Sequence, residues 1–329
     1  MRLLILGGTV FVGRHLAEEA HARGHEVTLF HRGTRPGVLP ELEHLHGDRD
    51  GGLDALGDRA WDAVVDTSGY LPRVVRASVR TLADRIGVYA FVSTISVYLD
   101  ATRPHLTEEA RLATLRDPRT ETVDADTYGG LKALCEDAVR TLGSERTLVV
   151  RPGLVVGPHD PTDRFTYWVR RLSEDGPVLV PDAGRQRLQW IDARDLATFV
   201  VVALEDELAG TYNAVVPADA HTFADLVAAC TSVAGTDPEL VPVPESYLSE
   251  RGVRPFADLP LWLPGDDANL FRVSADRAER AGLVTQPLSD SVADVLIWDA
   301  ARRPGQLKTG LPRQRELELI DAWRAGGGG

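Results

Sequence analysis

The reading of this chain turns on RLLILGGTVFVGRHLAEEAHARGHEVTLF, residues 2–30. The first five of these residues form a short apolar run that stops at Gly7-Gly8. A run so short and so continuously apolar suits a parallel strand covered on both faces. Residues 14–23 read as a helix closed by Gly24, and residues 26–30 as a second strand. Strand, glycine turn, helix and strand together make a βαβ unit. Such a turn places backbone N–H groups and a helix N-terminus at the strand's carboxyl end, which suits an anion such as a pyrophosphate. Gly7, Thr9, Phe11, Val12 and Gly13 are therefore candidate cofactor-binding residues.

The same alternation continues outward. Residues 42–46, 61–66, 88–93 and 147–151 read as further strands, and residues 72–84 as a helix. A helix running from about Tyr128 to Leu142 is capped by Asp126 or Thr127. Strands and helices at this spacing predict a doubly wound parallel α/β sheet, the Rossmann class. In such sheets ligands bind outside the carboxyl ends of the strands. Asp48, Asp66, Thr67, Ser68, Thr94, Pro152 and Gly153 all fall there, beside the glycine turn. Residues 99–125 are polar, contain proline and lack periodicity, which marks a lid or binding segment.

Residues 1–157 read as the dinucleotide-binding half, with 187–217 returning to it. A breaker-rich hinge, Gly157 to Pro161, opens a smaller α-rich C-terminal substrate domain of residues 158–186 and 218–329. Helices are expected at 163–172, 192–205, 221–234, 274–281, 289–302 and 313–325, and a strand at 211–216. The terminal Gly326–Gly329 run is expected to be a disordered tail.

A chain of 329 residues with 43% hydrophobic and 26% charged residues has the composition of a soluble globular protein. Its net charge of −13 argues against nucleic acid or an anionic membrane as partner. Cys135 and Cys230 have neither zinc nor disulfide spacing and read as buried thiols. MRLLILGG is too short for a signal peptide, and no apolar run is long enough to span a membrane, so a cytoplasmic location is expected. His44 and His46 share a strand face, which reads as ordinary strand surface rather than half of a metal site; no metal is expected. His159-Asp160 reads equally as a second acid/base or as hinge capping, and Tyr70 follows the fourth strand close to the cleft.

Of 36 basic residues only Lys132 and Lys308 are lysines. Lys132 follows Tyr128 by four positions in YGGLK, so the two share a helical face. A lysine there holds a compact charge near a phenol and biases the phenol toward ionisation.

These features resemble the short-chain dehydrogenase/reductase superfamily in its extended, epimerase-like branch. The resemblance rests on the glycine turn after the first strand, FVSTISVY at 91–98, YGGLK at 128–132, RPGLVVGP at 151–158 and QWIDARDLA at 189–197. It implies hydride transfer at a nicotinamide ring. Tyr128 would be the general acid/base, Thr94 would hydrogen-bond the same substrate oxygen, and Lys132 would hold the nicotinamide ribose and depress the Tyr128 pKa. Service as a base near pH 7 asks for a downward shift of about 3 units, roughly 4 kcal/mol. The resemblance also places Asp48 and Arg49 near the adenine and makes a homodimer common for the branch. Val10 stands where the family's turn has its middle glycine, and its side chain would crowd the pyrophosphate unless the turn directs it away. The second strand ends in His31-Arg32-Gly33 without a carboxylate, so Arg32, with Arg35, favours the 2′-phosphate of NADP over NAD. Ile95 and Ser96 occupy the positions of the Asp-Glu pair of sugar-nucleotide dehydratases, which argues against dehydration.

The expected function is an NADPH-using reductase of a small-molecule ketone. The alternatives are an epimerase with tightly bound NAD acting on a sugar, nucleotide-linked or free, and a non-catalytic dinucleotide- or RNA-binding protein.

Overall fold

The apolar run Arg2–Leu6 forms strand β1, with Leu3 to Leu6 fully buried between two layers of helices. The computed structural model describes residues 1–100, 102–302 and 305–327. The strands that follow are β2 (Glu26–His31), β3 (Glu43–His46), β4 (Trp61–Asp66), β5 (Ile86–Val92) and β6 (Thr147–Pro152). They join the later strand Gly210–Ala214 in one seven-stranded sheet, ordered Gly210–Ala214, β6, β5, β4, β1, β2, β3. Every pairing in it is parallel. The fold is thus the doubly wound α/β class, with order reversing at β1 and β4.

Helices α1 (Phe11–Ala22) and α5 (Ala193–Glu205) cover one face. Helices α2 (Pro72–Leu82) and α3 (Tyr128–Arg140) cover the other. α1 starts at Phe11 rather than at residue 14, because the chain turns helical as soon as it leaves Val10. Phe11 holds φ 32, an uncommon conformation for a residue with a side chain.

The helical C-terminal region contains α4 (Arg164–Leu172), α6 (Phe223–Ala234), α7 (Glu245–Glu250), α8 (Asp276–Arg280), α9 (Leu288–Ala301) and α10 (Arg313–Ala325). Its own core gathers Phe165, Trp168, Trp190, Phe223 and Trp262. Val178–Pro181 pairs in parallel with Leu240–Val243, a small sheet that the proline-rich sequence conceals. Gly326 ends α10, while Gly328 and Gly329 of the expected tail lie outside the described residues. No helix among the described residues is long and apolar enough to cross a membrane.

Candidate active site at the carboxyl edge of the sheet

The two glycines of YGGLK set the depth at which α3 docks. A Cβ on Gly129 would lie 2.1 Å from the Ser96 carbonyl oxygen, and one on Gly130 would lie 2.6 Å from Leu115 Cδ2. Without side chains there, the first turn of α3 rests directly on the backbone after β5 and under residues 99–125. That contact brings Tyr128 close to Thr94, whose hydroxyl donates to Ser96 Oγ at 3.2 Å. Thr94 is buried, and its Oγ1 also accepts the Ser96 N–H at 3.1 Å.

Lys132 is 3% exposed, and its ammonium donates to the carbonyls of Gly69 and Val92, both at 2.8 Å. It also stands 4.1 Å from the centre of the Phe91 ring. An ammonium carries three donors, so one remains for a further acceptor. Burial pushes Lys132 down to about 8, against the opposing pull of nearby acidic groups including Asp66 and Glu136.

The phenol behaves otherwise than its spacing to Lys132 suggests. Tyr128 is pushed up to about 12, by burial and by the neighbouring Tyr70 phenol, against the stabilising influence of the nearby Thr94 hydroxyl. The expected depression by Lys132 is absent because the ammonium is drawn to two backbone carbonyls instead. The Tyr70 ring lies 6.4 Å from that of Tyr128, tilted by 38°.

Asp66 and Arg49 also depart from expectation. Asp66 is fully buried and receives Arg49 at 2.5 and 2.7 Å, the Tyr89 hydroxyl at 2.8 Å and the Ser68 N–H at 3.0 Å. Burial alone would raise this carboxyl, yet Arg49 holds it below its ordinary value. Arg49 also donates to Ser68 and Ser78. The guanidinium is therefore turned inward, because a buried carboxylate demands a partner. A second buried pair joins Glu136 to Arg151 at 2.7 and 2.9 Å, with Ser93 donating to the same carboxylate.

At the glycine turn, Thr67 explains why Gly7 and Gly13 carry no side chain. A Cβ on Gly7 would lie 2.4 Å from Thr67 Oγ1, and one on Gly13 would meet the Gly8 backbone at 2.6 Å. The hydroxyls of Thr67 and Ser68 both donate to the Leu6 carbonyl, at 3.0 and 3.1 Å. Val10 is 42% exposed and lines the cavity over the first turn of α1. The amides of Phe11 and Val12 find no acceptor among the described residues. Asp48 is exposed, its Oδ1 accepting the Asp50 N–H. Arg32 and Arg35 are exposed and make no ion pair among the described residues. Pro152 ends β6 in a buried position, and the Gly153 N–H donates to the Ala214 carbonyl.

The structure also brings in residues that motif reading passed over. Gly69 and Val92 act through their carbonyls, which no side-chain pattern discloses. His31 joins His44 and His46 in a ring cluster, with His31 Nε2 2.7 Å from His44 Nδ1.

Comparison with known proteins agrees with this geometry. Residues 62–215 match the model of the NAD dependent epimerase/dehydratase family. Over 266 residues the chain is 30% identical to the epimerase family protein SDR39U1 of Bos taurus, an alignment spanning 75% of this chain and 85% of that protein. The chain belongs to the NAD dependent epimerase/dehydratase family. Within this family it is also 29% identical over 260 residues to the chloroplast stem-loop binding protein of 41 kDa b of Arabidopsis thaliana, covering 73% of this chain and 65% of that one. The solved structure of human epimerase family protein SDR39U1 (isoform2) with NADPH shares the fold at a TM-score of 0.61 and 24% identity, covering 90% of this chain and 99% of that chain.

Proposed function

We propose that this protein is an NADPH-dependent reductase of a carbonyl group on a small molecule. The observation that carries the reading is the convergence of Thr94, Tyr128 and Lys132 at the carboxyl edge of the sheet. The glycine turn supports a dinucleotide: the amides of Phe11 and Val12 find no acceptor among the described residues. Bound NADPH would supply the hydride. Thr94 would hydrogen-bond the substrate oxygen, and Tyr128 would donate its proton to that oxygen. A phenol is protonated at neutral pH, and burial keeps Tyr128 in that form, which supports the donor role. Lys132, with one N–H left over, would hold the nicotinamide ribose. Arg32 and Arg35 at the end of β2 favour the 2′-phosphate, and human SDR39U1 was solved with NADPH.

Titrating the protein with NADPH and NADH tests this reading. NADPH is expected to bind at least tenfold more tightly, in line with charge-assisted contacts to one phosphate. Tighter NADH binding would overturn it. The family match also supports an epimerase that oxidises and re-reduces one substrate on tightly held NAD. That alternative predicts nicotinamide copurifying with the protein and no net consumption of added NADPH. The name of the Arabidopsis relative raises a third reading, stem-loop binding, against which the net charge of −13 weighs.

A further inference from the structure

The loop between β2 and β3, residues 32–42, carries Arg32 and Arg35 and is tied down by the three histidines of those strands. The Gly33 N–H donates to His31 Nδ1 at 3.0 Å. His44 Nε2 donates to the Leu39 carbonyl at 2.9 Å. His46 is in register with His31 across the two strands, and its ring packs over Gly33, where a Cβ would lie 3.0 Å from His46 Cδ2. Leu39 holds φ 51, a conformation that is costly for a residue with a side chain and persists only where the surroundings hold it.

The two backbone partners decide which ring nitrogen carries hydrogen. Accepting from Gly33 leaves His31 Nδ1 bare, so the neutral ring has its hydrogen on Nε2. Donating to Leu39 puts the His44 hydrogen on Nε2 and leaves Nδ1 bare. His31 Nε2 therefore donates to His44 Nδ1, at 2.7 Å. The hydrogen bonds run in one direction, from the Gly33 amide to the Leu39 carbonyl, and occupy every nitrogen of both rings. A second proton on His31 would sit on Nδ1, against the Gly33 N–H. One on His44 would sit on Nδ1, against the His31 N–H. Either breaks the relay. Burial, and then the like charges of His44 and His46, hold His31 below its ordinary value, and no carboxylate opposes them. Of the other charged groups nearby, Glu43 is taken by Arg59 and Thr28. Glu41, Asp48, and Asp54 of the turn packed on β3 are exposed, as are Arg32 and Arg35. On the β1 side, Gly7 and Gly8 bring no titratable group.

We propose that His31 and His44 form a pH-sensitive latch on this loop, closed while both rings are neutral and released when either takes a second proton. The unfolded chain binds such a proton at its ordinary value of 6.5, and the latched loop binds it only at lower pH. The latch is therefore at full strength above pH 6.5 and weakens as pH falls below it. Release frees the segment that carries Arg32 and Arg35. The effect of release on NADPH rests on the cofactor reading above; the latch itself does not.

The test follows the full chain by NMR at about pH 7.5 and about pH 5.5, either side of the histidine range. At the higher pH both His31 and His44 are expected as Nε2–H tautomers, with the Gly33 amide protected from exchange. At the lower pH the Gly33 protection factor should fall about tenfold, the scale of one lost hydrogen bond, while that of Leu4 in β1 holds. His31→Asn, whose amide oxygen stands in for Nδ1 without titrating, should keep Gly33 equally protected at both. In NADPH titrations the wild type should lose more affinity than His31→Asn between the two pH values, since protonation of the 2′-phosphate is common to both. Loss of Gly33 protection with equal losses of NADPH affinity, or with no NADPH binding at all, keeps the latch and takes Arg32 and Arg35 out of cofactor binding. An Nδ1–H tautomer on either ring at the higher pH, an unchanged Gly33 protection factor, or a fall that persists in His31→Asn overturns the proposal.

Discussion

The surroundings of Lys132 and of Lys308 are opposites. Lys132 is sealed inside the sheet edge, pinned by two carbonyls and pushed down to about 8. Lys308 is exposed, held only by its backbone, and faces a cavity lined by other cations. A buried ammonium has a titratable proton near neutral pH and a fixed direction, at a cost to stability. An exposed one has a constant charge and little fixed geometry. The chain uses arginine at every other basic position, so the two lysines mark two contrasting environments.

The sharpest test of the buried side is Tyr128→Phe. Turnover should fall by about 10²–10⁴-fold, the range for removing a general acid, while NADPH binding stays within a few fold. Full turnover by the variant would remove the acid role. Next comes the pair beneath Lys132. Asp66→Asn should cost about 3–5 kcal/mol in chemical denaturation, because it leaves Arg49 charged and buried without its partner. A loss under 1 kcal/mol would show that the pair is solvated.

Lys132→Met separates function from stability. Below pH 8 the folded protein carries the whole penalty of a buried ammonium; the penalty fades as pH rises from about 8 toward the unfolded value of 10.5. The shift corresponds to about 3 kcal/mol, reduced by the two carbonyls left without a donor. The variant should therefore gain roughly 1–3 kcal/mol at pH 7 and lose that advantage by pH 10.5, while turnover collapses. In the wild type, turnover should fall above pH 8 as the ammonium is lost. A flat profile to pH 10 would exclude Lys132 as the titrating group. The smallest effect belongs to the cavity side: Val10→Gly should change NADPH affinity less than about threefold, because Val10 stands half-exposed at the cavity rim. A large gain would show that it crowds the ligand.

Much of the buried region was legible in the sequence. The apolar runs and glycine breaks of residues 2–30 foretell the parallel sheet, and Tyr128–Lys132 spacing foretells a shared helix face. Local periodicity carries such information. What Lys132 would touch was not legible, since its partners are carbonyls on β5 and after β4, far away in sequence. For the same reason the pairing of Arg49 with buried Asp66 was not legible, since the two lie on different strand ends. The strands Val178–Pro181 and Leu240–Val243 stayed hidden among prolines, which as a parallel edge pair they tolerate. The cavity beside Lys308 joins the first turn of α1 to a segment near the other end of the chain, and no window along the sequence spans that distance.

The strand Gly210–Ala214 has a consequence for how this chain is made. It closes the free edge of β6, yet it is synthesised after the hinge, α4 and α5. During translation the nascent sheet therefore presents β6, an apolar edge of sequence TLVVRP, until the ribosome has released the later strand. A fragment ending at residue 157 would keep that edge open permanently and would be prone to edge-to-edge aggregation. The N-terminal and C-terminal halves of the chain are in this sense one folding unit.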